Sequence, residues 1–325
     1  MFDFSVEKTT KNALFDTVDK WDMLIIGGGP AGLNAALYAK RKGLEVGIIA
    51  DDVGGQLHNT TAIDNYLGFT LVKGEELANS FIDHVNALDI PILKKSRVSV
   101  LTHLHPDFQL TLSDGRVLIS KTVLLATGGS SRKLNIPGEK EFSNKGVTYC
   151  ATCDAPFFKD KHVIVSGGGN SAAEGVLDLV PFARKITVVH RSQWRADDII
   201  LDKLNAVEKL TVHLETEIKE VVGEDFMTGV KVFDKNTKEE RVIEADGLLI
   251  EIGTIPNSTL VSDLVDTNDQ GEIIVSRNQQ TSLPGLYAAG DVTTEPNKQI
   301  IIAAGEGAKA ALSANHYLIQ KYKGE

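Results

Sequence analysis

The stretch YCATCDAPFF holds both cysteines of the chain, Cys150 and Cys153, with two residues between them and Asp154 directly after. A structural disulfide framework needs several cysteines spread along a small secreted chain, and this chain is neither small nor cysteine-rich. A tetrahedral zinc site needs four ligands, and no second Cys/His cluster completes one within the chain; only a pair across a dimer could supply four sulfurs. Closing so short a ring constrains an unfolded chain little, so the pair is a poor staple. It is well suited to opening and closing, because neighbouring thiols attack and release each other with little backbone movement. Redox chemistry is the leading reading, and it requires a source of electrons.

Composition narrows the possibilities. At 325 residues the chain is long enough for about two domains with substantial cores. The formal charge of -10 argues against a phosphate-backbone binder, whose footprint is basic. No apolar run approaches a membrane span, and residues 1–20 mix acids and bases without the apolar core of a signal peptide. A cytoplasmic protein is expected, where a reversible dithiol is more plausible than a permanent disulfide.

The electron source is suggested by an internal echo. WDMLIIGGGPAGLNAALYAKRKGLEVGIIADD reads as a buried strand, a glycine turn, an amphipathic helix and a second strand; KHVIVSGGGNSAAEGVLDLVPFARKITVVHRS repeats the plan. Gly27, Gly29 and Gly32 fill G-x-G-x-x-G in the first copy, and Gly167, Gly169 and Ala172 fill G-x-G-x-x-A in the second. The first small residue makes the turn, the second lets backbone approach a pyrophosphate, and the third lets helix pack on strand. Phosphate then sits at the helix N-terminus, where free N–H groups and the dipole favour anions. One such motif is weak evidence; two, each between a strand and a helix, define two Rossmann-like dinucleotide-binding folds in an α/β protein.

The copies differ where the second strand ends, the position that usually contacts the adenosine ribose. The first has Asp51, an acceptor for ribose hydroxyls, and suits FAD. The second has Arg191 at the same offset, with His190 before it and Arg195 close behind, and suits NADPH over NADH, because guanidinium groups bind a 2′-phosphate that an acid would repel. A solvated loop is the other reading of His190 and Arg195. Further flavin signals flank the repeat. VLLATGGS ends a strand in Thr127, Gly128 and Gly129, a close approach of backbone to a cofactor. GLYAAGDVTTEPNKQIIIAAGEGAKAALSA carries Gly290 and Asp291 before a helix rich in small residues. Asp291 reads equally as an acceptor for a ribityl hydroxyl or as a helix cap.

These residues give the chain, from about residue 20 to its end, a close resemblance to the low-molecular-weight thioredoxin reductases. It is similar also to the C-terminal part of the alkyl hydroperoxide reductase flavoprotein subunit. The resemblance rests on the order and spacing of GGGPAG, GGQLHNTTAIDNYLG, ATGG, GVTYCATCD, GGGNSA, IGTIPN and AAGDVTTEPNKQIIIAAGEGAKAA. It implies FAD, a nicotinamide donor (NADPH, with NADH possible), a dithiol–disulfide centre and a homodimer. It also implies a flavin domain in two segments, 21–133 and 261–325, with a nicotinamide domain, 134–260, inserted between them and an N-terminal extension over 1–20. By position, the flavin lies against Gly28, Gly29, Pro30, Ala31, Gly55, Gln56, Asn65, Asp291, Lys298, Gln299 and Ile300. The nicotinamide cofactor lies against Asn170, Ser171, Ile252 and Gly253 besides the second glycine loop. Cys153 is then the thiol facing the flavin, Cys150 the one that attacks the protein substrate, and Asp154 the proton donor and acceptor, with a helix N-cap as its alternative role. The chain departs from the family in having Ala155 and Pro156 where glycine usually follows the redox motif. Ser192 stands in place of a second arginine after His190, in a loop one residue shorter.

The function implied is NAD(P)H-dependent flavoprotein disulfide reduction, with a thioredoxin-like protein as acceptor. The alternatives are a peroxiredoxin-linked or glutaredoxin-like acceptor, ferredoxin as donor, or a non-catalytic flavin redox sensor. The cysteines belong to the inserted domain and must reach both flavin and partner, so two states and a hinge near 130–138 and 253–260 are expected.

Overall fold

The computed structural model describes residues 14–60 and 62–322. Most of the expected N-terminal extension lies outside them, but Phe15 is buried and stacks on Trp21 with ring centroids 4.9 Å apart. The chain divides into two compact units. One runs up to Ser130 and resumes at Ile255, and the other is Ser131–Thr254, where the sequence predicts 134–260.

The first unit is built on a seven-stranded sheet. Strand Trp21–Gly28 pairs in parallel with Val46–Val53 on one side and Val117–Leu125 on the other, and Ile92–Lys94 and Leu286–Ala288 extend the parallel part. Asp107–Leu112 and Val98–Leu104 continue it antiparallel beyond Val117–Leu125. Successive side chains of a strand point to opposite faces, so near-continuous apolar runs such as MLII can feed a core on each side. Met23 and Ile25 join Ile48 and Leu124 on the face covered by helices Pro30–Arg41 and Ile300–Lys321. Leu24 and Ile26 join Ile49, Val123 and Leu125 on the other face. Truncating a fully buried member such as Ile25 to Ala should cost about 2–5 kcal/mol, checked by denaturant unfolding.

The second unit has a five-stranded parallel sheet in the order Leu210–His213, Lys185–Val189, His162–Ser166, Gly247–Ile250, Val147–Thr148. An antiparallel sheet of Thr216–Gly223, Met227–Asp234 and Glu240–Glu244 accompanies it. In both units the strand that precedes the glycine loop is central and followed at once by a helix: Pro30–Arg41 in one, Asn170–Leu179 in the other. The fold is therefore α/β with two Rossmann-like folds, the second inserted into the first.

Candidate active site

In the first unit the glycine loop is sterically obligatory. A Cβ on Gly27, whose φ is +118°, would lie 2.1 Å from the Ala126 carbonyl oxygen, and one on Gly32 would lie 2.1 Å from the Gly27 oxygen. Gly29 differs: a Cβ there would meet nothing within 4 Å. It caps a twelve-residue helix that has Pro30 in its first turn, and the N–H groups of Ala31 and Gly32 follow. Around this opening the structure gathers residues from three distant segments. Gly55 lies so close to Gly29 that a Cβ on it would be 3.1 Å from the Gly29 Cα. Gln56 Nε2 donates to Asp291 Oδ2 at 2.8 Å, and a Cβ on Gly128 would sit 3.8 Å from that Nε2. Asn65 donates to Gln299 at 3.3 Å, and Lys298 Nζ donates to the Thr293 oxygen at 2.5 Å and pairs with Glu272 at 3.0 Å. Thr127 Oγ1 donates to the Asn257 oxygen at 2.8 Å.

Asp291 is not the cap of the final helix, which begins at Ile300 with Gln299 as its N-cap. Burial pushes its carboxyl above the usual carboxylate range, opposed by the Gln56 amide and by Lys298. Behind it, Glu306 accepts the Gly290 N–H at 2.7 Å and the Gln279 amide at 3.1 Å, a buried support that no sequence motif marks. Asp51 lies exposed on its strand, where Arg97 donates to it at 2.9 and 2.7 Å.

In the second unit Cys150 and Cys153 form a disulfide. Cys150 is the N-cap of the turn Ala151–Asp154, and its Sγ accepts the Cys153 N–H at 3.3 Å. Asp154 stands at the N-cap position of the next turn, Ala155–Phe158, but its side chain makes no cap hydrogen bond there and instead accepts from the Thr148 hydroxyl. The 3₁₀ turn Ala155–Phe158 follows, with Ala155 and Phe158 buried and Phe157 exposed. Ala151 N–H donates to Glu251 at 3.3 Å, another residue that sequence reasoning misses. Tyr149, just ahead of the pair, donates to buried Glu139 at 3.0 Å, and the same carboxylate accepts the N–H groups of Leu134, Asn135 and Ile136.

The second glycine loop repeats the logic of the first. A Cβ on Gly167 would lie 2.2 Å from the Glu251 carbonyl oxygen, whereas one on Gly169 would meet nothing within 4 Å. Ala172 is fully buried, and Asn170 and Ser171 open the helix. His190 is buried rather than solvated: its ring would clash with any side chain on Gly168, and its Nε2 pairs with the Ser192 hydroxyl at 3.1 Å. Burial, then Arg195 and Arg191, hold its pKa below the usual value. The arginine-bearing loop is fastened to the glycine loop, because Arg195 N–H donates to the Gly168 oxygen at 2.7 Å and Asn170 exchanges two bonds with Asp197. Arg191 and Arg195 are exposed. Ile252 and Gly253 follow Glu251 at the end of strand Gly247–Ile250, with the arm of Arg132 beside Gly253.

These features fit a dinucleotide in each unit: an opening at Gly29 or Gly169, a helix start facing it, and backbone crowded everywhere else around the loop. Among the described residues no cluster of His, Cys, Asp or Glu could hold a metal ion, and no helix is long and apolar enough to cross a membrane.

Two dinucleotide folds, one carrying a close-spaced disulfide, define an oxidoreductase of the nucleotide–disulfide kind. The chain belongs to the pyridine nucleotide-disulphide oxidoreductase family, whose sequence model matches residues 21–307. It is 42% identical over 307 residues to the F subunit of alkyl hydroperoxide reductase from Staphylococcus aureus. That match takes in 94% of this chain but only 61% of the relative, so the chain spans less than two thirds of the length of these curated proteins. The crystal structure of thioredoxin reductase from Streptococcus pyogenes is similar with a TM-score of 0.89 and 37% identity, over 93% of this chain and 99% of the other. Thioredoxin reductase from Giardia duodenalis is similar with a TM-score of 0.87 and 29% identity, over the same two shares.

Proposed function

We propose that the chain is an NAD(P)H-dependent FAD flavoprotein that reduces a protein disulfide, in activity a thioredoxin reductase, working as a homodimer. The observation that carries this reading is the Cys150–Cys153 pair at the mouth of a turn on the second dinucleotide fold, flanked by Asp154 and Thr148. Bound FAD supplies the two-electron link between a nicotinamide and that disulfide. Gly29, Gln56 and Asp291 hold it in the first unit, with Lys298 to Ile300 beside them. Gly169, Arg191 and Arg195 hold the nicotinamide dinucleotide in the second. Cys150 then attacks the partner disulfide as thiolate, and Cys153 resolves the mixed disulfide. Asp154, hydrogen-bonded to Thr148, delivers and collects the proton.

A thioredoxin-like acceptor is supported by the similarity to thioredoxin reductases over 93% of this chain. The higher identity to the alkyl hydroperoxide reductase component favours a second reading, a peroxiredoxin-linked acceptor. Anaerobic titration of the flavin absorbance with NADPH, NADH and reduced ferredoxin in turn tests the donor. Steady NADPH turnover with thioredoxin, against turnover with a peroxiredoxin-linked dithiol protein, tests the acceptor. Absence of disulfide turnover with NADPH, NADH and reduced ferredoxin alike would remove the reductase reading and leave a flavin sensor.

Donor choice gives a sharper expectation. Charge-assisted contacts to a 2′-phosphate contribute roughly 1.5–3 kcal/mol each. Arg191→Ala with Arg195→Ala should therefore raise the Michaelis constant for NADPH by well over tenfold, as about 1.4 kcal/mol is a factor of ten. NADH, which lacks that phosphate, should be nearly unaffected. Equal loss of both donors, or a wild-type preference for NADH, would show the arginines do something else.

A further inference from the structure

Glu251 stands immediately after strand Gly247–Ile250, with its backbone against the second glycine loop: its N–H donates to the Ser166 oxygen at 2.8 Å, and its own carbonyl blocks any side chain on Gly167. From there the side chain turns toward the redox centre. Its Cγ lies 3.5 Å from where a Cβ on Gly175 would be, beside the Ala151 Cβ at 3.3 Å, so the bare face of Gly175 is what admits it. Its Oε1 accepts the Ala151 N–H at 3.3 Å, and that nitrogen is two bonds from the Cys150 Cα.

The groups facing Glu251 are mostly acids. Helix Asn170–Leu179 brings Glu174 and Asp178, and Asp178 is bonded by Thr152 at 3.2 Å. The dithiol turn brings the Ala151 N–H, and the arm of Arg132 lies against Gly253 further along the chain. Among the described residues no lysine or arginine forms an ion pair with Glu251. Burial pushes its carboxyl up to about 7; the Ala151 N–H opposes the shift, and Asp178 and Glu174 add to it. The group therefore changes charge near neutrality while held against the backbone of the dithiol.

We propose that Glu251 is a positioning residue of the redox centre: its carboxylate occupies the Ala151 N–H and sets, through its charge, how readily Cys150 ionises. The inference deepens the reading of Cys150–Cys153 as a working dithiol and rests on it. A free N–H beside Cys150 would stabilise a thiolate, as would a helix start; an anion in its place does the opposite. Reduction breaks the S–S bond with two electrons. Below neutrality both sulfurs and Glu251 end protonated. Where Cys150 gives up its proton, the charge left on sulfur is opposed by ionised Glu251. The acid thus holds the pair as protonated thiols further up the pH scale, a reserve against non-productive attack.

The test uses the flavin-loaded protein, kept anaerobic and equilibrated with dithiothreitol, which supplies the two electrons and becomes a cyclic disulfide. Thiols are read by alkylation and mass; the chain has only two cysteines, so assignment is direct. Glu251→Gln keeps an acceptor for Ala151 and removes the charge. It should lower the pH midpoint of Cys150 alkylation by about one unit, the scale of one nearby charge. It should also raise the equilibrium constant for reduction severalfold at pH 8 and leave it within about twofold at pH 5.5, where the wild-type acid is already neutral. Glu251→Asp should restore the wild-type profile in part. Superimposable alkylation profiles for wild type and Glu251→Gln, or an equal change at both pH values, would overturn the inference while the dithiol reading stood. A pair that never exchanges with dithiothreitol would overturn both.

Discussion

Cys150→Ser and Cys153→Ser should each lower protein-disulfide turnover by on the order of a thousandfold or more, because a hydroxyl is neither ionised near neutrality nor able to exchange with a disulfide. Flavin occupancy and reduction of the flavin by nicotinamide should persist, since the cysteines lie on the second unit and the proposed flavin cradle on the first. The two variants should then part company. With Cys153→Ser the attacking thiol remains but nothing resolves the mixed disulfide, so the partner should accumulate as a covalent adduct on a non-reducing gel. Cys150→Ser should give little adduct. The reverse pattern would exchange the roles of the two sulfurs, and retained turnover in either variant would rule out a dithiol mechanism.

Gly29→Ala should lose FAD without losing the fold. The backbone at Gly29 has φ -79° and ψ -175°, which any residue adopts, and its methyl would meet no protein atom within 4 Å. Apoprotein stability should therefore change by no more than about 0.5 kcal/mol. The methyl instead fills the opening at the helix start, where a pyrophosphate oxygen would approach the free N–H groups. Losing one charge-assisted contact, roughly 1.5–3 kcal/mol, weakens FAD binding by about ten- to a hundredfold. Gly27→Ala is the contrasting variant: its methyl would sit 2.1 Å from the Ala126 oxygen at a positive φ, so both melting temperature and FAD content should fall. Equilibrium FAD binding together with thermal melting of each apoprotein separates the two. Wild-type FAD affinity in Gly29→Ala would place the cofactor elsewhere.

Sequence can announce the two glycine loops and the dithiol because each is a local pattern: consecutive residues, fixed offsets, an apolar strand before and a small-residue helix after. The surroundings of the site follow a different logic. Glu251 is a hundred positions from the cysteine turn it touches, and nothing in LLIEIG marks that glutamate as facing a redox pair. Glu139 and Glu306 are buried acids whose partners include backbone N–H groups, which leave no trace in the side-chain sequence. His190 reads in sequence as a solvated residue or a phosphate ligand. Its ring instead occupies the space that Gly168 leaves empty, a packing relation between positions on neighbouring strand ends. The antiparallel sheet of 216–244 is hard to foresee because its alternation of Val, Ile and charge is as common in exposed hairpins.

Within the second unit the Arg132 N–H donates to the Gly253 oxygen at 2.9 Å, and within the first the Asn257 N–H donates to the Gly128 oxygen at 3.0 Å. Each unit therefore closes its own seam at the point of insertion. For the host, the whole of Ser131–Thr254 amounts to a loop whose ends are already side by side, so its length adds little closure entropy, which grows only logarithmically. For the guest, the two ends are one hydrogen bond apart, and Glu139 fastens the first turn after entry. Such a joint is modular in both directions. The guest can be excised as a continuous gene segment, and the host resealed with a short turn. A sequence of this design can exchange its disulfide-bearing module without redesigning the host fold around it.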